Sequence, residues 1–341
     1  MRTRRGGWWV GIAALGAMTA IACGHGDAER AAASSSAAAA PAAANSGGQS
    51  AERAPVIAQG EQAPPASQTG GFDGQKAYDF TAKLVAFGPR PPASDAIHRT
   101  QDYILSEVKG FGCEVDTDDF HASTPIGDLA MKNIIAKAPG TGQGVILLLT
   151  HYDTARLDNF VGAVDGGSST GLMLEMARDY CGGKKGPNAV WMAFLDGEEA
   201  LVDWNTNNDN TYGSRELAAR MAISGDLKRV RAVILADMVG PKDLKIRKDP
   251  NSTPWLNTLV WKTADRLGYT KYFVLDPTGG IEDDHQAFTR RGVAAIDIID
   301  LADYPYWHQP TDTMDKVSPK SLAVVGHVIV ETISELQQKF H

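Results

Sequence analysis

Phe194-Leu195-Asp196-Gly197-Glu198-Glu199-Ala200 closes the apolar run Val190–Leu195 with a glycine and two adjacent carboxylates. A short, continuous apolar run bounded by turn signals reads as a strand buried on both faces, the pattern of a parallel sheet. In such sheets ligands bind beyond the carboxyl ends of the strands. Adjacent side chains cannot point the same way. One glutamate is therefore placed to bind a metal while its neighbour faces a substrate as a base. Taken alone, Glu-Glu is more often an acidic loop in water, so the reading rests on its partners elsewhere in the chain.

Working outward, further strands are expected at Cys113–Phe120, Met131–Ala136, Val145–Leu149, Ala232–Ala236, Tyr272–Leu275 and Ala294–Ile299. Helices are expected over Asp73–Phe87, from the cap Ser94 to Gly110, from Ser168 or Ser169 through Tyr180, and from Ser214 onward. Others run from Thr253-Pro254 to Gly268, around Gln286–Arg291, and from Ser318 to about Lys339. Capping residues at the starts, glycine at the ends and proline at a first helical position mark these bounds. Alternating strands and helices predict one α/β domain with a central, mostly parallel mixed sheet covered by helices on both faces.

That domain is expected to occupy residues 72–341. Residues 1–23 carry a basic start (Arg2, Arg4, Arg5), an apolar run from Trp8 to Ala22, and Cys23, the pattern of a secretory signal. Ala20-Ile21-Ala22-Cys23 resembles a bacterial lipoprotein cleavage site with Cys23 as the lipidated residue. Residues 24–71 are rich in Ala, Ser, Pro and Gly without apolar periodicity, the composition of a tether. An exported, lipid-anchored monomer of the periplasm or cell envelope is expected, with no other membrane contact. The formal charge of −8 and the lack of a basic stripe argue against nucleic acid. Cys113 and Cys181 are too few for a disulfide framework, and sequence leaves their pairing open.

The acids and histidines fall at strand ends. His151 and Asp153 follow one strand, Asp165 precedes a helix, Glu198 and Glu199 follow the next strand, and Asp237 another. Asp283, Asp284 and His285 precede a short helix, and His308 lies in the loop after Ile299. Strand ends in a doubly wound sheet converge on one edge, so these groups share a pocket. Carboxylate and imidazole ligands together suit zinc, whose active sites keep a fourth position open. His98 and His327 lie on predicted helices and His121 in a predicted turn. These three read as surface or core residues. His151 and His308 differ, each following a strand end beside an aromatic residue.

His151-Tyr152-Asp153, Phe160-Val161-Gly162-Ala163-Val164-Asp165 and Asp196-Gly197-Glu198-Glu199-Ala200 resemble glutaminyl-peptide cyclotransferases (glutaminyl cyclases). So do Trp204, Tyr212-Gly213-Ser214-Arg215, Asp237-Met238-Val239-Gly240, Asp283-Asp284-His285, Arg290-Arg291-Gly292-Val293 and Trp307-His308. The resemblance runs in order over about residues 73–341 and extends to the related M28-type zinc aminopeptidases. It implies a single zinc held by Asp165, Glu199 and His308, with Glu198 as the proton-transfer residue. Asp237 and Asp283 would form its acid network, and His151 would hydrogen-bond within the site. Trp204, Trp307 and Tyr304 would line the pocket for a glutamine side chain. The implied substrates are peptides or proteins with N-terminal glutamine, closed to pyroglutamate with release of ammonia. The animal secreted members carry a disulfide that would need cysteines near Thr150 and Thr170, absent here. The competing expectation is a two-zinc aminopeptidase, with His151 and Asp237 holding a second metal and Asp165 bridging.

Overall fold

The computed structural model describes residues 61–206 and 208–341. The expected signal segment, Cys23 and residues 24–60 of the expected tether lie outside the described residues.

The chain opens with two helices, each started by a side-chain cap. In α1 (Gly74–Val85) the Asp73 carboxylate accepts from the amides of Gln75 and Lys76, and in α2 (Asp95–Gly110) the Ser94 hydroxyl accepts from Ile97. Both caps satisfy amides that a helix start leaves without partners. A long antiparallel hairpin follows, β1 (Glu114–Thr124) and β2 (Gly127–Ala138). Then come β3 (Val145–His151), an irregular helical turn at Ala163–Ser168, α3 (Ser169–Cys181) and β4 (Ala189–Leu195). The second half holds α4 (Tyr212–Ser224), β5 (Val230–Asp237), β6 (Ile246–Lys248) and α5 (Pro254–Arg266). It ends with β7 (Phe273–Pro277), α6 (Gln286–Thr289), β8 (Ala295–Ile299) and α7 (Pro319–Lys339).

Six strands form the main sheet in the order β1-β2-β4-β3-β5-β8. β4, β3, β5 and β8 are parallel to one another, and β2 joins β4 antiparallel. Every residue of β3 and β4 is buried, as the continuous apolar runs require. Ile146 and Leu148 pack under α1, α3 and α7, while Leu147 and Leu149 meet the layer of α4 and α6 on the opposite face. The α/β architecture is thus the expected one.

Four local expectations are corrected. The Tyr272–Leu275 segment does not extend the main sheet: β7 pairs with β6 in a separate two-stranded sheet. Its exposed residues, Leu275 among them, fit this: no other described element covers its second face. His121 lies in β1 and not in a turn, because the hairpin runs four residues beyond Phe120 before turning at Pro125-Ile126. α4 starts at Tyr212, two residues before Ser214. The last residues of the expected tether pack on the domain, with Thr69 buried and its hydroxyl donating to the Phe72 carbonyl at 2.6 Å.

Cys113 and Cys181 form a disulfide between the start of β1 and the end of α3, spanning 68 residues of sequence. A cross-link closing a loop of that length restricts the unfolded chain by roughly 4 kcal/mol. Replacing both cysteines by alanine is expected to lower unfolding free energy by about that amount, read from urea denaturation under oxidising conditions.

Candidate active site

Four parallel strands deliver their carboxyl ends to one edge, and the acids arrive there with them. His151 is the last residue of β3, Asp237 of β5, and Glu198 and Glu199 lie just beyond β4. The loop carrying the two glutamates is fixed from below. Asp153, fully buried, accepts the amides of both Glu198 and Glu199 at 3.2 Å. With backbone positions set, the two side chains diverge.

Asp165 is aimed by a break in the helical turn that carries it. Its own backbone is extended (φ −77°, ψ 114°), and Gly166 follows at φ +70°. A Cβ at Gly166 would meet the Asp153 carbonyl oxygen at 2.7 Å and the His151 ring at 2.9 Å, so only glycine fits against the site. Asp312 clamps this turn, accepting from the amides of Val164 at 2.9 Å and Asp165 at 3.1 Å.

Asp165, Glu199 and His308 come together. His308 Nε2 is 3.1 Å from Glu199 Oε2 and 3.5 Å from Asp165 Oδ2. Phe160 meets the His308 ring edge-on at 5.6 Å, and Trp307 stacks on it at 4.2 Å. His308 adopts a left-handed backbone (φ +55°), as does Met238 after Asp237 (φ +48°). Non-glycine residues in that region gather at functional sites. On the other side of Asp165, His151 Nε2 lies 3.0 Å from Asp237 Oδ1 and 3.3 Å from Asp165 Oδ1.

The trio fits a divalent metal. Its donor atoms lie within 4.8 Å of one another, and Asp165 Oδ2 is buried without a hydrogen-bond partner. Two carboxylate oxygens and one imidazole are a zinc-type donor set. The His151, Asp165 and Asp237 donor atoms also lie within that span, sharing Asp165.

Burial drives the Glu198 carboxyl well above the ordinary range, and Asp283, Glu199 and Asp284 add to it against the opposing pull of His151. Asp283 is likewise pushed up by burial, then by Asp237 and Asp284. Burial raises Asp237 too, with His151 acting against it. Glu199 is pushed up to about 7 by burial and by Asp165. Asp165 alone of the set moves down: burial acts upward, but His151, His308 and Arg90 outweigh it.

These groups line a cleft of about 460 Å³. Asp165, Glu198, Glu199, Asp237, Asp283 and His308 form its polar floor, and Trp204 and Trp307 lie among its walls. His151 sits behind the floor, fully buried. Tyr304 is set apart and does not line the cleft. It is buried, and its hydroxyl donates to Asp312 at 2.6 Å, so it supports the turn that aims Asp165. Thr150 and Thr170 both direct their hydroxyls to the His151 carbonyl, at 3.2 and 2.8 Å, a hydrogen-bonded substitute for a staple at this place.

Sequence reasoning missed two residues. Arg90 is fully buried and donates to the carbonyls of Tyr152 at 2.7 Å and Gly162 at 3.0 Å. Burial pushes it down to about 10, while Asp153, Asp165, Asp312 and Glu199 favour its charge. The one signal available was its place between prolines, Pro89-Arg90-Pro91, which stiffens the segment. Asp312, in a polar loop after the last strand, offered no signal.

Comparison with known proteins gives this arrangement a family. The model of "Peptidase family M28" matches residues 133–333. The crystal structure of an Acidobacteriales bacterium glutaminyl cyclase is 40% identical with a TM-score of 0.75, covering 85% of this chain and 100% of that one. A Porphyromonas gingivalis glutaminyl cyclase is 30% identical with a TM-score of 0.73, covering 77% and 98%. A Mus musculus glutaminyl-peptide cyclotransferase-like protein is 29% identical over 275 residues, 72% of each chain. The chain belongs to peptidase family M28 and, within it, to the glutaminyl cyclases, and is by homology a glutaminyl-peptide cyclotransferase.

Gly166→Ala tests how the site is aimed. The left-handed backbone alone costs roughly 1–2 kcal/mol for a side-chain-bearing residue. The contacts with Asp153 and His151 must then shift the Asp165 turn. The variant is expected to melt several degrees lower and to lose zinc affinity, as read by calorimetry and zinc titration.

Proposed function

We propose that the protein converts N-terminal glutamine of peptides or proteins to pyroglutamate with release of ammonia, using one zinc ion held by Asp165, Glu199 and His308. The observation that carries the reading is the buried Glu198 carboxyl, on the floor of the same cleft as the zinc-type trio. Zinc held by these residues would supply a Lewis acid for the glutamine side-chain amide. The substrate is its own nucleophile: its α-amine attacks its side-chain carbonyl carbon, so no enzyme nucleophile is needed. A C–N bond forms, the bond to the amide nitrogen breaks, and one proton must travel from the incoming to the departing nitrogen.

Glu198 carries that proton. A carboxyl does this best when its pKa lies near the working pH, and burial together with Asp283 moves it upward. Asp237 and Asp283 are the neighbours with which it shares charge and protons. His151 holds Asp237 in place through the 3.0 Å contact. Trp204 and Trp307 narrow the cleft around the glutamine side chain and exclude water, which would otherwise compete as nucleophile. The basic, then apolar start of the chain, ending in Cys23, supports export and attachment to a bacterial envelope through a lipid.

A two-zinc aminopeptidase is the second reading. It is favoured by the cluster of His151, Asp165 and Asp237, which shares a ligand with the first trio. The two readings differ in product. Offered a Gln-peptide and Leu-p-nitroanilide, the protein is expected to release ammonia from the first and little nitroaniline from the second. Glu198→Gln is expected to lower the cyclisation rate by about 10²–10⁴ while zinc content is unchanged. Nitroaniline release without ring closure would sink the cyclase reading.

A further inference from the structure

Away from the cleft floor, three fully buried side chains face one another without the partners that burial demands. Asp249 follows β6, His285 precedes α6, and Asp297 lies in the middle of β8, each 0% exposed. Neither ring nitrogen of His285 and neither carboxylate oxygen of Asp297 has a hydrogen-bond partner among the described residues. Unpaired polar atoms are rare in protein interiors because each forfeits its hydration. Four of them on two neighbouring side chains call for an occupant.

The three residues are also spaced as metal ligands would be. His285 Nε2 lies 3.2 Å from Asp249 Oδ2, yet is not aligned to donate to it. A similar separation, 3.1 Å, divides His308 Nε2 from Glu199 Oε2 in the trio at the cleft. One donor atom from each of Asp249, His285 and Asp297 falls within 4.8 Å of the others, as in the trio. Asp249 is held by its surroundings: Oδ1 accepts from the amides of Asn251 at 3.0 Å and Ile281 at 3.1 Å, and Oδ2 from the Ser252 hydroxyl at 3.1 Å. Such outer contacts fix a metal-binding carboxylate. Asp297 faces other acids, namely Asp283, Asp237, Asp249 and Asp284, so the charge lacking at this place is positive.

We infer that Asp249, His285 and Asp297 form a second divalent-metal site of zinc type, structural in role. Two carboxylates and a neutral imidazole balance a dication and match the donor preferences of zinc. The two places differ in access. His308 is partly exposed and lines the cleft, leaving room for substrate, whereas all three residues of the second site are sealed. Structural zinc sites are closed and catalytic ones open. The ion would tie the β6–β7 sheet and the turn before α6 to the main sheet through β8.

The test is metal per chain on the full protein, measured by elemental analysis after exhaustive dialysis. Wild type is expected to hold two zinc ions. Asp165→Asn removes the residue common to both cleft groups and is expected to retain one. His285→Gln is expected to retain the cleft ion and lose the other. Zinc in wild type that disappears entirely with Asp165→Asn overturns the proposal. If His285→Gln does not fold, anomalous diffraction from wild-type crystals at the zinc edge decides. A peak about 2.0–2.1 Å from a His285 ring nitrogen supports the site. A map with no peak there means that no metal lies between His285 and the two acids, and the inference fails. Neither readout depends on whether the enzyme cyclises glutamine.

Discussion

Too many carboxylates are buried at one edge of this sheet for the cations that face them. Asp153, Asp165, Asp237, Glu198, Glu199, Asp283 and Asp284 are all nearly inaccessible. Arg90 and the two histidines are the positive groups facing them. An uncompensated buried charge costs several kcal/mol, so such a cluster persists only if protons or a metal ion neutralise it. The arrangement suits both. Glu198 and Asp283 are driven toward their protonated forms. His151, His308 and Arg90 favour the ionised form of Asp165, and one of its oxygens is without a hydrogen-bond partner.

The fold exists to hold those charges apart by set distances. Four parallel strands, buried on both faces, end at the same level and deliver His151, Glu198, Glu199 and Asp237 to one rim. Hydrogen bonds behind the rim do the aiming. Asp153 receives the amides under the glutamate pair, Asp312 those of the Asp165 turn, and Arg90 the surrounding carbonyls. None of the three lines the cleft, yet Asp153 and Asp312 fix residues that do, and Arg90 fixes the chain around them.

Much of this was legible in the sequence because the signals were local. Val145–Leu149 and Val190–Leu195 are continuous apolar runs, and their full burial is the consequence. The acids could be assigned to one pocket because each follows a strand or precedes a helix. What sequence could not supply was long-range pairing. β7 carries strand-forming residues, but its partner β6 is three residues long and gives no periodic signal. Arg90 works only through carbonyls more than 60 positions away, and Asp312 through amides 147 and 148 positions away. The resemblance to glutaminyl cyclases implies a place for Tyr304 in the pocket wall. Its hydroxyl instead prefers the buried carboxylate of Asp312, because a phenol without a partner in the interior is costly.

The most direct test of the charge argument is thermal unfolding of the chelator-stripped protein with and without added zinc. A ligand that binds only the folded state raises stability by about 2.7 kcal/mol at a hundredfold excess over its dissociation constant. A melting temperature that climbs with zinc concentration is the expected result. An identical transition in the presence and absence of zinc would mean that protons alone neutralise the buried acids, and would contradict the account.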